Sequence, residues 1–219
     1  MGFESGNIME LSEPQVMEIL RKRKALIEGH FVGKSGKHLD TYVLKDAIYP
    51  YSDISTLCRS LAWRFRRDFH FIEAVVGPVV GGVSLSQWVA HWLREFTKRE
   101  VLALFADKDP DKGFIIGRGY ERLIQYKRTL VVEDILTTGG SAAKTIEVAR
   151  TFNAHVIALG VLCNRGGVTP ESVNAPEIFA LANLNLPSWE ARDCPLCAAG
   201  KEVNTELGHG KEFLASLAV

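Results

Sequence analysis

The sequence predicts an α/β fold, a parallel sheet covered on both faces by helices, and three observations predict it. Four short apolar runs, residues 71–76, 101–105, 129–132 and 155–163, have the β-branched composition of buried strands. A stretch of helical period precedes the first, with Ile54, Leu57, Leu61 and Phe65, and helices are read between the others at about 81–98 and 141–152. Strands separated by helices of about ten residues or more need crossovers, which make neighbouring strands parallel. Ligands of such sheets sit beyond the carboxyl ends of the strands, here the loops 77–82, 106–119 and 133–141.

Composition bounds the rest. The chain has 219 residues, 47% hydrophobic and 24% charged, which suits one α/β domain with an appendage, or at most two small domains. Its 26 basic and 26 acidic residues cancel, which argues against a general nucleic-acid binder and leaves room for a small anionic ligand. No run approaches the ~18 apolar residues of a membrane span, and the polar, acidic start is unlike a signal peptide. Cys58, Cys163, Cys194 and Cys197 are expected as reduced thiols in a cytoplasmic protein.

In chain order, Ser12 and Pro14 open a helix with Val16, Met17, Leu20 and Ile27 inward and a solvated basic run at 21–24. Gly29 is expected to end it, and 33–36 to turn into an extended stretch at 41–44. A helix spans 51–68, Gly77-Pro78 stops the first strand, and Gly81-Gly82 opens a helix to about 98. Residues 107–119 read as a mobile loop or a β-excursion, and 141–152 as a helix. Beyond Gly166 four prolines suggest an irregular tail that pairs with the N-terminal segment.

The strongest chemical signal is Val131-Val132-Glu133-Asp134-Ile135-Leu136-Thr137-Thr138-Gly139-Gly140-Ser141. A strand brings two carboxylates to its tip and turns into a helix N-terminus. Thr137, Thr138 and Ser141 offer hydroxyls, Gly139 and Gly140 let amides point inward, and the helix dipole favours a phosphate. The carboxylates would repel that phosphate, so they suit sugar hydroxyls or a metal. The bland alternative is a glycine-rich turn with solvated acids. Neither a P-loop nor a dinucleotide-binding fingerprint is present.

This loop resembles the phosphoribosyl-pyrophosphate (PRPP) motif of type I phosphoribosyltransferases. Gly29-His30-Phe31-Val32-Gly33-Lys34-Ser35-Gly36-Lys37-His38-Leu39-Asp40-Thr41-Tyr42 resembles the N-terminal signature of the orotate phosphoribosyltransferase family. Gly77-Pro78-Val79-Val80-Gly81-Gly82 is similar to that family's diphosphate loop, and Asn164-Arg165-Gly166-Gly167 to its base-contacting loop. The resemblance implies a single domain, its core about 50–167, with a small hood from about 1–49 and 168–219. It also implies transfer of phosphoribosyl from PRPP to orotate with Mg²⁺, held mainly through diphosphate and ribose, in a homodimer.

Residue by residue, the resemblance implies ribose binding by Glu133 and Asp134 and phosphate binding by Ile135, Leu136, Thr137, Thr138, Gly139, Gly140 and Ser141, with Gly81 in the diphosphate loop. Lys34, Tyr42, Thr137 and Arg165 match orotate-contacting positions; an arginine there can grip a planar carboxylate. Lys108, with Glu133 and Asp134, would be catalytic, and Lys112 would assist with PRPP. Many orotate enzymes carry Arg-Lys-x-x-Lys-x-His in the mobile loop, whereas this chain has Asp107-Lys108-Asp109-Pro110-Asp111-Lys112-Gly113. The three acids there are candidates to tie up the lysines. Two other readings stay open: transfer to another base, and a ligand-sensing regulator without turnover.

Cys194 and Cys197 have metal-ligand spacing, with His209 downstream, but no second Cys pair completes a zinc site, so a compact turn is expected. His38 is read either as a diphosphate contact or as an exposed turn residue. Trp88 and Trp92 form a core or dimer-interface stripe, and His30 and His91 receive no role.

Overall fold

The computed structural model describes residues 10–65, 71–111, 113–184 and 186–217. In chain order it contains α1 (Glu13–Lys22), β1 (Leu26–Val32), β2 (His38–Val43), α2 (Asp53–Arg64), β3 (Ala74–Pro78), α3 (Gly81–Thr97), β4 (Leu102–Asp109) and β5 (Gly113–Ile115). These are followed by α4 (Tyr120–Leu123), β6 (Arg128–Leu136), α5 (Gly140–Thr151), β7 (His155–Asn164), β8 (Ile178–Asn183), β9 (Ser188–Trp189), α6 (Pro195–Ala198) and α7 (Gly210–Leu217). The chain forms two compact units, one of Met1–Met17 and Tyr49–Leu184, the other of Glu18–Ile48 and Asn185–Val219.

The first unit is built on a six-stranded sheet in the order β5-β4-β3-β6-β7-β8. All neighbours are parallel except β5, which folds back antiparallel on β4. Strand residues alternate between the two faces, as the pleat requires. Val76, Val131 and Leu159 pack with Ala142, Ile146 and Ala149 of α5. Gly160 faces the other way, against Leu61 of α2 and Phe65. Leu61 is fully buried, so truncating it to alanine would cost about 2–5 kcal/mol.

The expected parallel strands are present, and the sheet is larger than the sequence suggested. Residues 178–183, read as part of an irregular tail, form β8 beside β7. The surrounding prolines hid a six-residue strand whose own pattern is too short to stand out. Residues 107–119 form the β-excursion of the two alternatives, with Lys108 opposite Phe114. The helix expected over 51–68 is α2, and residues 66–68 lie outside the described residues.

The N-terminal helix is shorter than its apolar spacing suggested. Ser12 begins it, its amide and hydroxyl both donating to Gln15 Oε1, a capping arrangement. It ends at Lys22, well before Gly29. Lys24 takes a left-handed φ of 54°, and the amides of Lys24 and Ala25 donate to the carbonyls of Arg21 and Leu20. That closure satisfies the last carbonyls and turns the chain out. Gly29 and Ile27 therefore lie in β1, whose pairing with β2 has a bulge between Glu28 and Phe31.

The second unit holds a three-stranded antiparallel sheet, β1-β2-β9, so the tail pairs with the N-terminal segment there. Phe31, Val32, Leu39 and Val43 are its buried apolar side chains on the hairpin.

Candidate active site

Three of the sequence motifs leave the carboxyl ends of adjacent parallel strands, β3, β6 and β7. Backbone pairing alone therefore gathers loop 77–82, the 133–141 turn and loop 164–167 at one end of the sheet. The amides of Arg165 and Gly166 both donate to the Leu136 carbonyl, at 2.9 and 3.1 Å, strapping the third loop to the second. Asn164 closes its own loop, donating to the Val168 carbonyl and accepting from the Val168 amide.

Glu133 and Asp134 are 6% and 3% exposed, so the reading of solvated acids does not hold. Burying two adjacent carboxylates is costly unless they are hydrogen-bonded. Asp134 Oδ1 accepts from the Ile135 amide at 2.7 Å, and Oδ2 accepts from the Tyr49 hydroxyl at 2.7 Å. Burial first, and the Asp134 charge second, push the Tyr49 pKa far above its ordinary value, so Tyr49 remains a donor. Gly81 completes this corner: a Cβ there would overlap both Asp134 Oδ2 and the Tyr49 hydroxyl.

The turn into α5 is equally defined. Gly139 precedes α5 with φ 76°, a conformation that favours glycine, and a Cβ there would run into Val173. No side chain caps α5, while Thr137, Thr138, Gly140 and Ser141 are exposed. Hydroxyls and first-turn amides thus face outward beside two buried carboxylates. In loop 77–82, Val79 donates its amide to the Ala106 carbonyl of β4, and the Val79–Val80 peptide is cis.

Lys108 stands exposed on the β4–β5 hairpin. Its neighbouring acid Asp107 pairs with Arg118 at 3.0 Å, and among the described residues no carboxylate pairs with Lys108. The acids of this loop do not tie up that lysine. Lys112 lies outside the described residues. Lys34 and Tyr42 belong to the second unit, Lys34 exposed in the β1–β2 turn and Tyr42 packed on Phe31 at 5.4 Å. Tyr49 is the site residue that sequence reasoning missed. Between Ile48 and Pro50 it belongs to no periodic pattern, and only its contact with Asp134 reveals it.

The profile of the "Phosphoribosyl transferase domain" family matches residues 45–179. The chain is 34% identical over 197 residues to the orotate phosphoribosyltransferase of Caldanaerobacter subterraneus subsp. tengcongensis, covering 87% of this chain and 94% of that relative. It is 33% identical over 190 residues to the enzyme of that name from Thermotoga maritima, covering 84% and 93% respectively. The crystal structure of orotate phosphoribosyltransferase from Aeropyrum pernix shares the fold, with a TM-score of 0.60, 24% identity and coverage of 77% of this chain and 93% of that one. The fold and site define a phosphoribosyltransferase. Within that class, the chain belongs to the orotate phosphoribosyltransferase family.

Proposed function

We propose that this protein transfers the phosphoribosyl group of PRPP to orotate, giving orotidine 5′-monophosphate and diphosphate in pyrimidine nucleotide synthesis. The observation that carries the reading is the pair of buried, oriented carboxylates Glu133 and Asp134 beside the uncapped start of α5. A ligand with a phosphate at one end and a diol nearby satisfies both halves at once. The 5′-phosphate sits on Thr137–Ser141 amides and hydroxyls, and the ribose hydroxyls donate to the two carboxylates.

The chain needs no nucleophile of its own, because orotate supplies the ring nitrogen that bonds to C1′ as the C1′–O bond to diphosphate breaks. Asp134, held by Tyr49 and its neighbour's amide, fixes the sugar so that C1′ faces the incoming base. Arg165 grips the orotate carboxylate, with Thr137 and, by the resemblance, Lys34 and Tyr42 as further base contacts. Lys108 offers positive charge to the departing diphosphate. The donor set fits Mg²⁺ carried by the substrate: both Asp134 oxygens already accept hydrogen bonds, so the carboxylates suit a hydrated ion bound mainly through diphosphate and ribose. When bound, Mg²⁺ supplies charge that offsets what builds on the leaving group. The reading includes a cytoplasmic homodimer, in keeping with four unpaired cysteines and with Trp88 exposed on α3.

Loss of orotate ultraviolet absorbance, dependent on both PRPP and Mg²⁺, tests the proposal. Thermal stabilisation by the ligands without turnover would overturn it in favour of a sensor on the same fold. Turnover of another base in place of orotate would overturn the substrate assignment alone.

A further inference from the structure

A cluster in the second unit takes no part in the phosphoribosyl chemistry. His30 lies on β1, His38 opens β2, and Cys194 and Cys197 bracket the start of α6. One ligand-type atom from each of the four lies within 4.8 Å of all the others. His30 Nε2 is 2.8 Å from His38 Nδ1, 3.6 Å from Cys194 Sγ and 3.7 Å from Cys197 Sγ, and Cys197 Sγ is 3.3 Å from His38 Nδ1. A tetrahedral ion with bonds of about 2.0–2.1 Å to nitrogen and about 2.3 Å to sulfur has ligand–ligand edges of roughly 3.3–3.8 Å. The four atoms already stand close to that spacing.

The hydrogen bonds around the cluster favour metal over a plain polar core. His30 Nδ1 lies 2.7 Å from the Lys201 carbonyl, which only accepts, so Nδ1 carries the proton and Nε2 turns its lone pair inward. Metal-binding histidines are oriented by this kind of outer hydrogen bond. Without a cation, His38 Nδ1 would have to donate to His30 Nε2. His38 Nε2 is buried with no hydrogen-bond partner among the described residues in either case, so the choice rests on the four inward atoms.

We propose that His30, His38, Cys194 and Cys197 bind one structural Zn²⁺, which clips the C-terminal segment to the β1–β2 hairpin. Two thiolates with two imidazoles select zinc over magnesium or calcium. Four protein ligands, three of them buried, leave no open position, which marks a structural site rather than a catalytic one. The clip acts where sheet pairing is slight, since β9 pairs with β2 over only two residues. The expectation of a mere turn at Cys194–Cys197 looked for a second Cys pair; the missing ligands are histidines on the hairpin, and His209 is not among them. His30 and His38 also bracket the turn that carries Lys34, so the ion would hold that turn's shape. That last consequence alone rests on the role proposed for Lys34.

Metal analysis of untagged full-length protein purified from zinc-supplemented cells should find about one zinc per chain. Co²⁺ bound to the metal-free protein should show tetrahedral d–d bands and a thiolate-to-cobalt charge-transfer band. Chelation should lower Tm by more than about 5 °C, reversed by Zn²⁺. Cys194→Ser/Cys197→Ser should lose the metal, and His209→Ala should keep it. Zinc well below one equivalent together with a Co²⁺ adduct lacking the thiolate band would overturn the proposal. So would full retention of zinc by the double serine variant. If that variant does not fold, the wild-type stoichiometry and cobalt spectrum decide. None of these readouts depends on turnover, so they stand or fall apart from the orotate reading.

Discussion

The Tyr49 hydroxyl donates a 2.7 Å hydrogen bond to Asp134 Oδ2 across 85 residues of sequence. It turns a carboxylate at a strand tip into an oriented acceptor, which the proposed function assigns to a sugar hydroxyl. Removing only the hydroxyl in Tyr49→Phe should lower kcat/KM for PRPP by roughly 10–100-fold, since a hydrogen bond to a charged group is worth about 1.5–3 kcal/mol. Orotate affinity should change little. Steady-state kinetics with each substrate varied in turn checks this, and an equal loss for both would contradict the assignment.

Gly81→Ala puts a methyl group into the space of both Asp134 Oδ2 and the Tyr49 hydroxyl. The expected strain is about 1–3 kcal/mol, read as a fall of several degrees in Tm. PRPP binding, followed by calorimetry, should fall further than the stability loss explains. Unchanged PRPP affinity would mean that this corner does not hold the sugar.

Lys108 is exposed, so Lys108→Ala should leave Tm alone. If the hairpin brings it to the departing diphosphate, kcat should drop roughly 100-fold, the scale of losing one aimed charge in the transition state. Arg118→Ala removes the exposed pair with Asp107 and the guanidinium's contact over the Phe105 ring at 5.6 Å, each worth about 0.2–1 kcal/mol, and should have a much smaller effect on rate. Identical rate losses in the two variants would point to hairpin shape instead of the lysine charge.

Glu73 supplies a pH test of stability. The Arg128 amide, opposed by partial burial and aided by Lys127, holds its pKa below the ordinary carboxylate value. A depressed folded-state pKa gives stability that is present above the unfolded value of about 4.3 and lost as pH falls through the lower folded value. The group is 42% exposed, so the contribution is about 0.2–1 kcal/mol. Glu73→Gln should therefore be slightly less stable than wild type at pH 7, and the gap should close below pH ~4. A gap that widens on acidification would show the sign to be wrong.

The sequence by itself determined whatever depends on neighbours along the chain. The apolar runs that became β3, β4, β6 and β7, the helical periods of α2 and α5, and the contiguous turn from Glu133 to Ser141 are all written in stretches of about a dozen residues. Adjacent carboxylates, hydroxyls and glycines carry their chemistry in one segment, so both halves of the candidate site at the tip of β6 were legible in the sequence. Tertiary structure alone decided what depends on residues far apart. Tyr49 meets Asp134 because the chain returns to the tip of β6. β8 exists because the edge of β7 offers unpaired backbone groups that a short segment can satisfy. His30 and Cys194, 164 residues apart, come together only because β9 pairs with the hairpin. Local spacing cannot encode such meetings, since the free energy that makes them is gained only once the sheet has formed.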